Sequence, residues 1–472
     1  VGASVMLPMW LVIALGCLSA AAVIQFFLLP GVRWYFRRKM NRVIDEVSTR
    51  FNIEIPEFKR TRRQVLIDRL FHDEKVQLAI TQYCAAQCLP RHEALRRVNA
   101  YAREIVPSFN AYAYFRWGYR IAKFYARWLY RVRLGYTDST ALAAINPRSS
   151  VVFVMNHRSN MDYVLVAFLA AERTSLSYAV GEWARIWPLH SLIRSMGAYF
   201  VRRNSGDALY RTVLQRYVQM ATEGGVPQAV YPEGGLSADG KLRAPRLGLL
   251  DYMLKAFNPS AERDLVFIPV GINYDRVLED RTLLRKLDAA SPRRGWVSAI
   301  TTVLSFFARN TWLLATGRWY RYGYACVNFG RPLSMREYVS RNGVDFRTLD
   351  DDARHRTVAQ VGQTLMDAIR DVIPVLPVSL VATVFVRGQT KPFAEIDLKT
   401  EAYTIARRLE AAGAHVYIPR SDLDYAIGVG LRMLTLRHIV RERDGLYSVA
   451  ESERPLLEYY ANAIAPLVDA LR

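Results

Sequence analysis

The sequence predicts an α/β domain with a central, largely parallel sheet, preceded by a membrane helix and a helical region and followed by a mainly helical domain. Three observations predict it. From about residue 150, short apolar runs end in polar, glycine-containing turns and give way to helical patterns: VVFVMN before LVAFLA, QAVYPEGG before LGLLDYMLKAF, then LVFIPVGINYD. Strands alternating with helices indicate parallel pairing through crossovers. Val5 to Leu29 carries no charge, and beyond about residue 336 helical periodicity broken by glycines dominates.

The elements follow in order. At helical rise the uncharged stretch extends about 37 Å, enough for a tilted crossing of a hydrocarbon layer of about 30 Å. Pro8 and Pro30 sit near its ends, where proline does least harm. A cleaved signal peptide would carry a positive leading region and a shorter apolar core, so residues 1–32 are expected to form an uncleaved anchor. The chain begins at Val1, which fits either a valine-type start codon or trimming. Arg33, Arg37, Arg38, Lys39 and Arg42 follow the apolar stretch. The positive-inside rule then places that flank, and with it nearly the whole chain, in the cytoplasm.

Residues 33–110 read as a helical region of mixed charge, with turns near Pro56 and Pro107. The stretch from Tyr112 to Tyr136 repeats Arg116, Arg120, Lys123, Arg127 and Arg131 every three or four residues, so one helix gathers them on a basic face beside aromatic residues. Such a helix either lies in the interface of anionic lipid or packs on the core with a solvated basic face. With this helix at its start, the α/β domain is expected over 111–335, and the mainly helical domain over 336–472. Gly295 to Leu314 is apolar but short and interrupted by Arg309, so it reads as a buried or interfacial helix.

Composition narrows the partners. Hydrophobic residues make up 51% and charged residues 23%, which excludes wholesale disorder. The net charge of +21 calls for a polyanionic partner: nucleic acid, anionic lipid or a phosphorylated substrate. Cys17, Cys84, Cys88 and Cys326 form neither a disulfide framework nor a metal-ligand set.

Four short motifs carry the chemistry, and ligands of such sheets sit beyond the carboxyl ends of the strands. The first, NHRSNMDY, follows a strand and precedes a helix. His157 and Asp162 are five apart and meet only if the histidine sits in the turn and the acid in the first helical turn. A carboxylate there fixes the imidazole tautomer, and the imidazole can take a proton from an attacking alcohol. Ser159 to Asp162 also reads as a capping box, and the two readings of Asp162 are compatible. The second, GAYFVRR, ends in Arg202 and Arg203, whose forks match phosphate oxygens, though a solvated surface pair has the same appearance. The third, YPEGGLSADGK, places Glu233, Gly234, Gly235, Ser237, Gly240 and Lys241 in a turn whose free N–H groups can cradle an anion; an ordinary glycine-rich turn is the alternative. The fourth, VFIPVGINYD, sets apolar residues around Pro269, fit for an acyl channel or a buried strand.

Taken in order, these motifs resemble the four sequence blocks of the glycerolipid acyltransferases: His-x-x-x-x-Asp, Gly-x-x-Phe-x-Arg-Arg, Pro-Glu-Gly-Gly-x-Ser, and Ile-Pro-Val with Tyr-Asp. The HRSNMD wording, GYACVNFGRPL (Gly323 to Leu333) and LLEYYANAI (Leu456 to Ile464) resemble the bacterial membrane glycerol-3-phosphate acyltransferases, so the resemblance covers about residues 110 to 472. It implies an acyltransferase-type domain at the inner (plasma) membrane, with its catalytic part cytoplasmic. His157 would be the general base and Asp162 its orienting partner. Arg158, Arg202 and Arg203 would hold the substrate phosphate, with Lys241 nearby. Glu233, Gly234 and Ser237 would shape the glycerol-phosphate pocket, and Pro269 would belong to the acyl-thioester side. The acyl group would pass from acyl-CoA or acyl carrier protein to the sn-1 hydroxyl of glycerol-3-phosphate, giving lysophosphatidate, without metal or cofactor. Dihydroxyacetone phosphate and lysophosphatidate are the rival acceptors. One departure stands out: Ala238 occupies the place where the family usually has arginine after the serine, and Lys241, Arg243 or Arg246 would have to compensate. A basic membrane-tethered protein without catalysis is the rival of another class, and no nucleic-acid-binding motif supports it.

Overall fold

A computed structural model of the chain describes residues 57–108, 119–170, 176–180, 197–202, 205–285, 287, 321–389 and 391–471. The expected anchor over 1–32, the apolar segment 295–314 and the residues 112–118 lie outside the described residues. Among the described residues, no helix is long and apolar enough to cross a membrane.

After one short helical turn, Glu57–Arg60, come three helices: α1 (Arg63–Phe71), α2 (Glu74–Gln87) and α3 (Arg91–Ile105). Asp73 starts α2 by accepting the N–H groups of Lys75 and Val76, which the first helical turn leaves unpaired. There follow α4 (Tyr119–Leu129), β1 (Arg131–Thr137), β2 (Ser150–Met155), α5 (Met161–Ala170), β3 (Ser177–Val180) and β4 (Tyr199–Phe200). Next come α6 (Ala208–Glu223), β5 (Gln228–Val230), α7 (Gly248–Leu254), β6 (Leu265–Tyr274), α8 (Asp280–Arg285), β7 (Tyr324–Phe329) and β8 (Leu333–Ser334). The C-terminal part holds α9 (Met335–Asn342), α10 (Asp351–Asp371), α11 (Pro377–Arg387), β9 (Phe393–Ala394), α12 (Glu395–Ala411), α13 (Leu423–Leu436), β10 (Val440–Arg443), β11 (Leu446–Val449) and α14 (Arg454–Ala461).

The main sheet runs β1-β7-β6-β2-β5-β3-β4, with β8 on β6. Pairing is parallel from β6 through β2, β5 and β3 to β4, as the strand–helix alternation predicts. It is mixed rather than uniform, because β7 and β8 return antiparallel to β6. Proline in a central strand ordinarily breaks a ladder. Pro269 is tolerated because it falls between the stretch of β6 that pairs with β8 and the stretch that pairs with β7; there its carbonyl accepts from Gly330 N–H.

Alternation along the strands divides two cores. Val152, Val154, Leu265 and Phe267 face a layer built from α1 to α3, α6, α7 and α10. Phe153, Met155, Ile268, Val270, Ile272 and Tyr274 face a layer built from α5 and α11 to α14. Both strands are therefore apolar on both faces, which is why they read as continuous Val/Ile runs. A second sheet, β10-β11-β9, caps the C-terminal helices.

The single basic helix expected as far as Tyr136 stops at Leu129. Arg131 opens β1, which pairs in parallel with β7 over Arg131↔Tyr324 to Leu134↔Val327. RVRLGYT alternates as well as it spirals, and the open edge of β7 decides in favour of the strand.

Candidate active site

The site lies where β2, β5 and β6 end. Because these strands are parallel, the turns after them open on one edge of the sheet. Asn156 locks the end of β2 to β6: its side chain accepts from Ile272 N–H at 2.8 Å and donates to Ile272 C=O at 2.9 Å. That clamp fixes the next residue, His157.

His157 Nδ1 lies 2.9 Å from Asp162 Oδ2. A carboxylate can only accept, so Nδ1 carries the proton and Nε2 keeps the lone pair. Asp162 Oδ2 also accepts the N–H groups of Arg158 at 2.7 Å and Ser159 at 3.0 Å. The Ser159 bond is half of the expected capping box, so capping and orienting coexist in one carboxylate. Asp162 is 0% exposed and His157 3%. The imidazole stacks on Tyr231 at 4.0 Å and meets the edge of Tyr163 at 5.5 Å.

Glu233, after β5, reaches back to this turn. One oxygen accepts from His157 N–H at 2.8 Å and the other from Arg243 N–H at 3.1 Å. Burial pushes its carboxyl up to about 7. Gly234 has φ +69°, and an added Cβ would stand 2.5 Å from Arg246 Cδ, so the turn needs glycine both for its backbone and for Arg246 lying along it. Ser237 is buried and donates to Lys241 C=O at 2.7 Å, closing the loop, while its own N–H donates to His157 C=O. Lys241 is exposed at the loop's end. Ala238 is buried, and Arg243 and Arg246 are exposed beside the same loop.

The arginines part company. Arg158 is buried; it donates to Gly240 C=O and stacks over Tyr459 at 4.8 Å. Arg202 follows β4, three strand spacings from β2, or about 14 Å along the same edge. Its guanidinium is clamped by Glu104 of α3, Nε at 2.9 Å and Nη2 at 2.5 Å, between the rings of Tyr101 and Tyr210. Arg203 lies outside the described residues. Pro269 is buried in the body of β6, paired with Val154, one strand from the histidine but below the edge.

Residues assigned no role from the sequence complete the site. Tyr274 donates to Asp162 Oδ1 at 2.5 Å. Glu279 accepts from Ser159 Oγ at 2.7 Å and from Asn160 Nδ2 at 3.0 Å, holding the histidine turn from outside. Burial raises the Glu279 carboxyl. Asp275 is pushed up to about 7 by burial; it accepts from Tyr324 N–H and from Val378 N–H at the start of α11. Tyr274 and Asp275 lay in the fourth motif, but nothing in their spacing ties Tyr274 to Asp162, 112 positions earlier, or Asp275 to Tyr324 and Val378, 49 and 103 positions later. Among the described residues, no group of three metal-ligating side chains occurs.

Two family profiles match the chain: "Acyltransferase" over residues 137–273 and "Glycerol-3-phosphate acyltransferase C-terminal region" over 310–468. Among similar proteins, one named glycerol-3-phosphate acyltransferase from Pseudomonas putida is 26% identical over 419 residues, covering 86% of this chain and 49% of its own. Another of that name, from Pseudomonas entomophila, is 25% identical over 423 residues, covering 86% and 49%. The chain spans about half the length of the curated relatives it matches. Among solved structures, a 1-acyl-sn-glycerophosphate (LPA) acyltransferase from Thermotoga maritima aligns at 16% identity over 64% of this chain and 97% of that one, with a TM-score of 0.29, too low to establish a shared fold. The first profile covers the histidine and Glu-Gly-Gly turns, the second covers the helices packed behind them, and over most of its length the chain is similar to proteins named glycerol-3-phosphate acyltransferase.

Proposed function

We propose that the chain transfers a fatty acyl group from acyl-CoA or acyl carrier protein to the sn-1 hydroxyl of glycerol-3-phosphate, giving lysophosphatidate. The observation that carries this reading is the 2.9 Å bond between His157 Nδ1 and buried Asp162 at the carboxyl edge of the sheet. His157 Nε2 takes the proton of the acceptor hydroxyl as its oxygen attacks the thioester carbonyl. The tetrahedral intermediate collapses, the C–S bond breaks, and the imidazolium returns the proton to the leaving thiolate. Asp162 stabilises the imidazolium between these steps. No metal or cofactor enters.

The phosphate falls to cations around the Glu-Gly-Gly turn. Arg243 and Arg246 flank it and Lys241 ends it, which offsets the missing arginine at Ala238. Arg158 serves from behind. Arg202 reaches the same phosphate only after its Glu104 pair opens. Gly234 and Ser237 shape the pocket floor, and Pro269 belongs to the acyl side. Exposed Phe124, with Arg120 and Arg127 on α4, supports seating on anionic lipid, with the catalytic part on the cytoplasmic face of the inner membrane.

The test offers labelled acyl-thioester with glycerol-3-phosphate, dihydroxyacetone phosphate or lysophosphatidate to membranes carrying wild type or His157→Ala. The expected result is transfer to glycerol-3-phosphate, reduced about 10²–10⁴-fold in the variant. Near-normal transfer by His157→Ala sinks the base assignment, and preference for another acceptor sinks the substrate.

A further inference from the structure

We propose that Tyr274 is a positioning residue for the His157–Asp162 pair, holding the carboxylate with Oδ2 turned to the imidazole and drawing its charge toward Oδ1. The proposal rests on the reading of His157 as the general base. Among the described residues, Oδ2 has three donors, namely the His157 ring and the N–H groups of Arg158 and Ser159, whereas Oδ1 has Tyr274 alone. Without the phenol, nothing on that side resists rotation of the carboxylate away from the histidine.

Tyr274 is itself immobilised. It is fully buried as the last residue of β6, and its N–H is taken by Asn273 Oδ1 at 2.9 Å. Its ring packs on that of Tyr130 at 5.3 Å, and Tyr130 is tied through its hydroxyl to Arg276 C=O. Burial, with Asp162 beside it, keeps the Tyr274 phenol protonated far above its ordinary range, so it remains a donor at any working pH.

An O–H donor at 2.5 Å from a carboxylate is a short, charge-assisted bond. It spreads the negative charge of Asp162 and so weakens the carboxylate's hold on an imidazolium. The strength of the base is thereby set from β6, the strand that also carries the fourth motif. The other groups facing the pair act differently. Glu233 bonds the histidine's backbone, Glu279 bonds the turn, and Arg158 points to Gly240. The rings of Tyr163 and Tyr231 pack on the imidazole, and Tyr459 lies under Arg158. None of these side chains bonds the Asp162 carboxylate.

The test compares the full chain with Tyr274→Phe and with 3-fluorotyrosine placed at position 274, measuring kcat, KM for both substrates and the pH dependence of kcat/KM. Tyr274→Phe is expected to lower kcat about ten-fold or more while leaving both KM values within about two-fold. It also moves the acid limb of the profile to higher pH, because the unspread charge binds the imidazolium's proton more tightly. Fluorotyrosine, a stronger donor of nearly the same shape, moves that limb the other way. A profile that stays in place in both variants, with or without loss of activity, overturns the proposal and leaves Tyr274 a packing residue. Should Tyr274→Phe fail to fold, the fluorotyrosine shift alone decides. His157→Ala, run alongside, separates the two claims: if that variant is inactive and the limb does not move, only the role of Tyr274 falls.

Discussion

At the scale of single residues, Glu233 links the geometry of the site to pH. Its carboxyl is raised from 4.5 to about 7 because burial penalises the charged form. Between these values the folded chain holds a proton that the unfolded chain has released. Stability from this group is therefore greatest below 4.5, falls as pH rises through the window, and levels above 7, a span of about 3 kcal/mol. Asp275 adds a slope of the same sign from 3.8 to about 7. Thermal unfolding of Glu233→Gln across this range is expected to show a shallower fall than wild type. The amide turns one N–H toward the donors of His157 or Arg243, adding a pH-independent loss of about 1–3 kcal/mol, which is an offset and not a slope. An unchanged slope assigns the titration elsewhere. His157 and Glu233 were legible in the sequence because each sits in a short turn after a strand, and Asp162 because it lies in the first turn of the helix that follows; strand ends are where parallel sheets bind ligands. Tyr274 and Glu279 were not, since they meet the histidine turn across 112 and 120 residues and only the register of β2 on β6 brings them together. Arg202 was legible as a cation but not as Glu104's partner, for the same reason.

Elements show where periodicity suffices and where it does not. The β2, β5 and β6 strands and the helices after β2 and β5 were readable, because apolar runs bounded by glycine-containing turns have few alternatives. The segment from Tyr119 to Thr137 satisfies both a helical and a strand period, and the break at Tyr130 is a tertiary decision: Arg131 stacks on Tyr324 and Arg133 donates to Tyr417 at 2.9 Å. The loop after β5 is governed by contacts of the same kind. Gly240 has φ +84°, and an added Cβ would stand 2.1 Å from the carbonyl oxygen of Tyr459 in α14. Asn462 donates to Asp239 C=O at 2.9 Å just beyond that helix, and Arg158 donates to Gly240 itself. Gly240→Ala must therefore strain the backbone and push α14 away, at a cost of about 3 kcal/mol or more. The expected outcome is a lower unfolding temperature with faster proteolysis between Ala450 and Asn462. Wild-type resistance to protease would mean that the loop and α14 yield without separating.

On the scale of the whole molecule, the C-terminal helices are part of the site's support. Both cores run through them: α10 fills one beside α6, and α14 fills the other behind β6. One joint couples this mass to the chemistry. Asp280, adjacent to the Glu279 that holds the histidine turn, accepts from Arg437 Nη2 at 2.6 Å and from the Tyr460 hydroxyl, and Arg437 Nη1 donates to the same hydroxyl at 2.8 Å. The ion pair is almost wholly out of water, with side chains 9% and 6% exposed. Removing one partner leaves the other as a buried, unpaired charge, which typically costs about 3–5 kcal/mol, whereas replacing both with apolar residues of similar volume avoids that penalty. Arg437→Met and Asp280→Leu should therefore each lower the unfolding temperature sharply, and the double variant should recover most of the loss. Activity should separate from stability in the double variant. Glu279 keeps its bonds to Ser159 and Asn160 only while the start of α8 stays in place, so the proposed acyl transfer returns if packing alone positions α8 and stays low if the ionic joint is what aims it. Single variants with wild-type melting and turnover would show that the C-terminal region is held to the sheet by its apolar cores alone.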